Sequence, residues 1–315
     1  MIWLIGAGLM AQDYIKVLSD LNVDFICIGR SVSSAKECTE KTGKEVILGG
    51  LEKFLLANIN TKCDYAIVAT DVESLFENCY LLLNHGVKNI LLEKPGVLYH
   101  DEFFKLYKKA LDNKANVFIA YNRRFYASVL KLKQILATDG ELNSFYFDFT
   151  EWSHVIEKLD KPLCIKNKWF LCNSTHVVDL AFFIGGKPKK IDCYSKQRLG
   201  WHPTSSVFCG SGITDKDVIF SYHANWNSAG RWGIEILTDK CKFILRPLEK
   251  LYMQNKRSLS VELFEGIDYS MDEKYKPGLY LQVQNFLSDN TRDFCSLLDQ
   301  IEMLKYYYKI AKYSI

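Results

Sequence analysis

Six residues near the N-terminus constrain this chain most. Gly6-Ala7-Gly8-Leu9-Met10-Ala11 reads G-x-G-x-x-A, and it follows directly on the apolar run Ile2-Trp3-Leu4-Ile5. Residues 9–20 continue as an amphipathic helix, with Leu9, Tyr14, Val17 and Leu18 on one face. A glycine turn that leads from a strand into a helix is the setting of a dinucleotide-binding loop. Gly6 permits the tight turn. Gly8 lets a backbone approach a pyrophosphate, and Ala11 lets the helix lie close on the strand. Leu9 and Met10 belong to the first helical turn, whose N–H groups and dipole attract phosphate. Alone the motif is weak, because such turns also occur without a ligand.

The pattern after the loop points the same way. Apolar runs at 24–29, 65–69, 89–92 and 117–121 alternate with helical segments at 33–41, 73–85 and 101–113. That alternation implies βαβ units and a parallel sheet. Beyond residue 125 the pattern changes. Residues 145–152 alternate in strand fashion, and 174–184 read as a helix ended by Gly185-Gly186. From 190 to 265 come β-rich runs, including 218–226 and 234–245, separated by turn signals such as Gly210-Ser211-Gly212. They predict an antiparallel sheet with one helix-covered face. Helices at 279–288 and 292–312 close the chain.

Charge and cysteine usage exclude several function classes. The 40 basic residues are interleaved with 37 acidic ones, so no basic stripe of the kind nucleic acid needs is present. No uncharged apolar stretch reaches the roughly 18 residues of a membrane span. The apolar N-terminus has no basic flank and runs straight into the glycine loop, so it reads as a first strand rather than a signal peptide. The ten cysteines include no C-x-x-C pair, so neither a zinc site nor a redox dithiol is expected, and no other metal is. Several sit in apolar runs, as Cys27 does in Phe25-Ile26-Cys27-Ile28. They read as buried, reduced thiols of a cytoplasmic protein.

The end of the second strand discriminates between cofactors. NAD-binding chains usually carry a carboxylate there for the ribose hydroxyls. Here the segment is Ile28-Gly29-Arg30-Ser31-Val32-Ser33-Ser34. It has no carboxylate, and Arg30 and Ser31 suit a 2′-phosphate. The reading favours NADP(H), with NAD(H) as the alternative.

Three later motifs complete a set. Leu92-Glu93-Lys94-Pro95 follows the strand at 89–92, Asn122-Arg123-Arg124-Phe125 follows the next, and His176-Val177-Val178-Asp179-Leu180 lies in the helix at 174–184. With the glycine loop, their order and spacing resemble the Gfo/Idh/MocA oxidoreductase family over the whole chain. The resemblance implies a Rossmann domain over 1–121 and a substrate-binding and dimerisation domain over 122–315. The second is an α+β domain with a large open, mostly antiparallel sheet, and the C-terminal helices are able to pack back on the first. It implies a homodimer or homotetramer formed through that sheet, and sugars, nucleotide sugars or cyclitols as substrates. The family's E-K-P lysine maps onto Lys94 and its acid–base histidine onto His176.

The chemistry of these residues agrees with the resemblance. Ligands of open α/β sheets bind beyond the carboxyl ends of the strands, where Glu93 and Lys94 lie. Hydride transfer at a carbonyl needs a proton partner, which a lysine on the oxygen and a histidine titrating near neutrality can supply. Thr70 and Asn122 are further candidates for the cofactor. Arg124, Trp169, Asn173, Asp179 and Tyr275 are candidates for the substrate, and Arg231-Trp232-Gly233 and Lys276 lie on loops that could border it. Asp179 could orient His176, bind a substrate hydroxyl or only stabilise its helix. The family often has an Asp four residues before the histidine; here that place holds Cys172, which puts a carboxylate-assisted mechanism in question. Two other readings stay open: a non-catalytic dinucleotide-binding sensor on the same fold, and a reductase of a non-sugar substrate.

Overall fold

A computed structural model describes residues 1–138 and 141–314. The first stretch alternates strictly: β1 (Ile2–Ile5), α1 (Leu9–Asp20), β2 (Phe25–Gly29), α2 (Val32–Thr42), β3 (Val46–Leu48), α3 (Gly50–Ala57), β4 (Tyr65–Val68), α4 (Val72–His85), β5 (Asn89–Leu92), α5 (His100–Asp112) and β6 (Asn116–Ile119). A 3-10 turn (Asn122–Phe125) leads into α6 (Ala127–Thr138) and β7 (Leu142–Asp148). Two short helices follow, α7 (Ser153–Ile156) and α8 (Leu163–Asn167), then a π-turn (Phe170–Ser174) that opens α9 (Thr175–Gly185). The strands β8 (Pro188–Lys196), β9 (Val207–Thr214), β10 (Ile219–Asn225), β11 (Gly233–Thr238), β12 (Cys241–Leu245), β13 (Tyr252–Asn255) and β14 (Glu262–Leu263) come next. The chain ends with α10 (Ser270–Lys274), α11 (Leu279–Leu287), β15 (Cys295–Ser296) and α12 (Leu297–Ala311).

Contacts divide the chain into two units, residues 1–122 with 273–302 and residues 123–272 with 303–315. The first unit holds a seven-stranded sheet in the order β15-β6-β5-β4-β1-β2-β3. Every pair in it is parallel except β15 with β6. Its central strands are buried except at Tyr65 and Asn89, which open β4 and β5, as a sheet covered on both faces requires. Order reverses at β1, which lies between β4 and β2, so the glycine loop sits at the switch point of the sheet.

The second unit holds an eight-stranded sheet, β14-β13-β12-β11-β7-β10-β9-β8, in which only β7 with β10 is parallel. One face is covered by α9. Phe182 of that helix packs edge-on against Phe145, Phe147 and Phe220. The helix comes so close that a Cβ on Gly185 would lie 2.2 Å from the Phe145 ring. Tyr194, Cys209 and His223 form a row across three paired strands on the other face, which is exposed.

Several boundaries differ from the sequence reading, each for a local reason. Strand β3 and helix α3 were not anticipated. The strand is three residues long at a sheet edge with two of them exposed, too little for a periodic signal. The run 145–152 is not one strand. Asp148 Oδ1 accepts the Thr150 N–H at 2.7 Å and turns the chain there. The last helix begins at Leu297 rather than near 292, because Ser296 caps it: its hydroxyl oxygen accepts the Asp299 N–H at 3.1 Å, while its own N–H and hydroxyl donate back to Asp299 Oδ2 at 3.1 and 2.6 Å. All ten cysteines are free, but only five are buried, and Cys209 is exposed.

Candidate active site

The cofactor side of the site is assembled in the first unit. Gly6 has φ +125°, and a Cβ there would stand 2.3 Å from the Ala69 carbonyl oxygen, so only glycine passes between β1 and β4. Ala11 is fully buried, which lets α1 lie on the sheet. Gly8 is the N-cap of α1, with open space where its side chain would be and no side chain capping the helix. Leu9 is exposed and Met10 half-exposed, and the first turn carries no acidic residue. An uncapped helix start, open to solvent and free of acidic charge, fits a dinucleotide pyrophosphate.

The edge of the sheet supplies the other groups. Arg30 follows β2 and is exposed, and Ser31 caps α2, its hydroxyl 2.8 Å from that of Ser33. No carboxylate stands at this strand end. Thr70 lies just beyond β4 and is half-exposed. Lys94 lies just beyond β5, two strands from β1 along the same carboxyl edge. Glu93, expected at the cofactor, is instead buried and accepts the Tyr14 hydroxyl of α1 at 2.8 Å. Desolvation raises its pKa. Its role is to bind the E-K-P turn to the glycine-loop helix. Gln300, which the sequence reading missed, donates to the Pro95 carbonyl at 3.0 Å from the other side. Asn122 donates to the Pro277 carbonyl at 2.9 Å. Tyr275, expected at the substrate, hydrogen-bonds Asp20 at the last residue of α1, the end opposite the glycine loop.

The second unit gathers the other candidates. His176 lies in the first turn of α9, buried, with its ring 6.1 Å from that of Trp232. Arg124 and Asp179, both expected at the substrate, take up each other: Arg124 Nε and Nη2 donate to the two Asp179 oxygens at 2.8 and 2.6 Å. The Asp179 carboxylate is thereby directed to Arg124. Trp169 packs edge-on against Trp201. Asn173 Nδ2 and the Ser174 hydroxyl donate to Glu151 Oε1 at 2.9 and 2.8 Å, and Arg231 reaches Glu151 Oε2 at 3.3 Å. The Arg231 guanidinium also lies 4.5 Å from the Trp232 ring, and that of Arg123 lies 4.8 Å from it. Glu151 is 1% exposed, and burial raises its pKa. It brings a carboxylate to Asn173 and Ser174, the two residues after Cys172. The sequence reading overlooked it as one position of a supposed strand; only the turn at Asp148 frees it.

Residues 1–121 match the oxidoreductase family described by its NAD-binding Rossmann fold. No curated protein sequence matches the chain. Among solved structures, an oxidoreductase from Agrobacterium radiobacter in complex with NAD+, L-tartaric acid and magnesium has a TM-score of 0.78 at 14% identity, covering 99% of this chain and 95% of that one. UDP-N-acetylglucosamine 3-dehydrogenase from Acidithiobacillus ferrooxidans gives 0.76 at 13%, covering 99% and 96%. Levoglucosan dehydrogenase with NADH and L-sorbose gives 0.77 at 15%, covering 99% and 95%. At such identities the likeness shows the fold, an NAD-binding Rossmann domain with a large, mostly antiparallel sheet beside it in the chain. Over residues 1–121, the chain matches the model of the Gfo/Idh/MocA oxidoreductases, and this stretch is similar to that family's NAD-binding domain.

Proposed function

We propose that the protein transfers a hydride between a nicotinamide dinucleotide and the carbonyl or alcohol of a sugar or nucleotide sugar. The observation that carries this reading is the uncapped start of α1 at the switch point of a parallel sheet, with Lys94 on the same carboxyl edge. Residues 1–121 hold the cofactor, and residues 122–315 supply the substrate groups and the contacts of a homodimer or homotetramer. A bound nicotinamide supplies the hydride donor or acceptor. Lys94 holds the reacting oxygen, and His176 exchanges the proton that the oxygen gains or loses. Asn173, with Trp169 nearby in sequence, orients a polyol. The structural relatives named as dehydrogenases of UDP-N-acetylglucosamine and levoglucosan favour a sugar-like substrate. The missing carboxylate after β2, with Arg30 and Ser31, favours NADP(H), although the Agrobacterium oxidoreductase carries NAD+ and levoglucosan dehydrogenase NADH. Five buried free thiols suit a cytoplasmic protein.

The test begins with titration of NADH and NADPH, followed by a panel of sugars and nucleotide sugars read by nicotinamide absorbance. NADPH should bind more tightly, and Arg30→Ala should narrow the difference. With a substrate in hand, Lys94→Met and His176→Ala should each lower turnover about 10²–10⁴-fold with cofactor affinity retained. Near-normal turnover in both variants would place the chemistry elsewhere. Cofactor binding without turnover on any substrate would favour the sensor.

A further inference from the structure

Residues 273–278 return to the first unit and lie along α1. The segment is tied down at several points. Tyr275 hydrogen-bonds Asp20, Lys274 pairs with Asp20 at 2.9 Å, and Lys16 Nζ donates to the Lys274 carbonyl at 2.7 Å. At the other end the Pro277 carbonyl accepts from Asn122. Between these tethers, Lys276 is carried to the opposite end of the helix. Its Nζ stands 2.9 Å from Met10 Sδ, within the glycine motif, and 3.6 Å from Asp13 Oδ2.

Neither contact accounts for the placement. A thioether is a weak acceptor for a strongly hydrated ammonium. The pair with Asp13 is half-exposed on both sides, and such pairs contribute little. Meanwhile the start of α1 has no capping side chain and no acid in its first turn. The ammonium therefore lies beside the first turn of α1, only partly offset by the half-exposed Asp13, and an anion bound at the helix start is attracted by both.

We propose that Lys276 is a ligand of the cofactor pyrophosphate, so that the chain closes its dinucleotide site with a residue far from the glycine loop in sequence. The inference rests on the dinucleotide reading of that loop, and it assigns the phosphate recognition of this chain partly to residues beyond 121. It also reassigns Lys276 from the substrate side, where the sequence alone had placed it.

The experiment titrates NADH, NADPH and ADP-ribose into the full chain by fluorescence and calorimetry, at low and at physiological salt. Lys276→Gln should weaken all three by roughly fivefold to tenfold, because all carry the pyrophosphate, and should flatten the salt dependence. Lys276→Arg should keep most of the affinity. Lys274→Gln, which alters the same segment at the Asp20 end, should bind as the wild type does. Lys276→Gln that binds all three ligands like the wild type overturns the proposal, as does an equal loss in Lys274→Gln, which would make the segment merely structural. Wild-type protein that binds none of the three overturns the glycine-loop reading itself, and this inference with it.

Discussion

His202 is fully buried in the second unit, between the rings of Trp226 and Phe208. The Ser205 carbonyl can only accept, so Nδ1 carries the proton at 2.6 Å, and Nε2 accepts from the Tyr313 hydroxyl at 2.8 Å. Burial lowers its pKa from 6.5 to about 4. Above pH 6.5 the imidazole is neutral whether the chain is folded or not. As the pH falls from 6.5 to about 4, the unfolded chain takes up a proton that the folded chain refuses, and stability is lost. The full loss is about 3 kcal/mol. His202→Gln should lose less stability than the wild type between those pH values in urea titrations, whatever its stability at neutral pH. Parallel losses in the two proteins would remove His202 as the cause. Glu151 shifts in the opposite sense for a carboxylic acid: its raised pKa favours the folded state at low pH, a contribution that fades as the pH rises through its folded value.

At the scale of elements, the site depends on short connections being pinned by single polar contacts. The 3-10 turn at Asn122–Phe125 is held to α9 by the paired hydrogen bonds of Arg124 and Asp179, whose side chains are 11% and 3% exposed. Losing one partner of a buried ion pair leaves the other charge poorly compensated, at a cost of about 3–5 kcal/mol. Asp179→Asn should therefore lower the unfolding free energy by about 3 kcal/mol in denaturant titrations. A loss well under 1 kcal/mol would show that the pair is dispensable, and would reopen Asp179 as a substrate ligand. The E-K-P turn is pinned in the same manner, from one side by Glu93 with Tyr14 and from the other by Gln300.

At the scale of the molecule, the eight-stranded sheet leaves one face to solvent. Tyr194 is 71% and Ile219 63% exposed there, and Cys209 and His223 lie beside them. Exposed apolar side chains in rows across paired strands suit association with a second sheet. The protein is expected to be a homodimer or homotetramer through this face. Light scattering should then give a mass of at least twice 36.4 kDa, and Tyr194→Lys with Ile219→Asp should return it to the monomer. A monomeric wild type, or an oligomer unmoved by the double change, would place any interface elsewhere.

Local chemistry was enough for part of this protein. The glycine loop, the alternation of strands and helices over 1–121, and the E-K-P turn are legible because each depends on residues adjacent in sequence and on periods of two or 3.6. The family resemblance was legible for the same reason, since its motifs are short and ordered. What tertiary structure alone decided was the assignment of partners. Arg124 and Asp179 read as separate substrate candidates in the sequence, and the fold pairs them with each other. Glu93 read as a cofactor candidate, and the fold sets its carboxylate against the Tyr14 hydroxyl. Glu151 carried no signal and Lys276 only that of a loop cation near the substrate, because what distinguishes them is proximity to residues distant in sequence, Asn173 and Ser174 for one and Met10 for the other. A hydrogen bond across such separations follows from packing, and no periodicity in the chain encodes it.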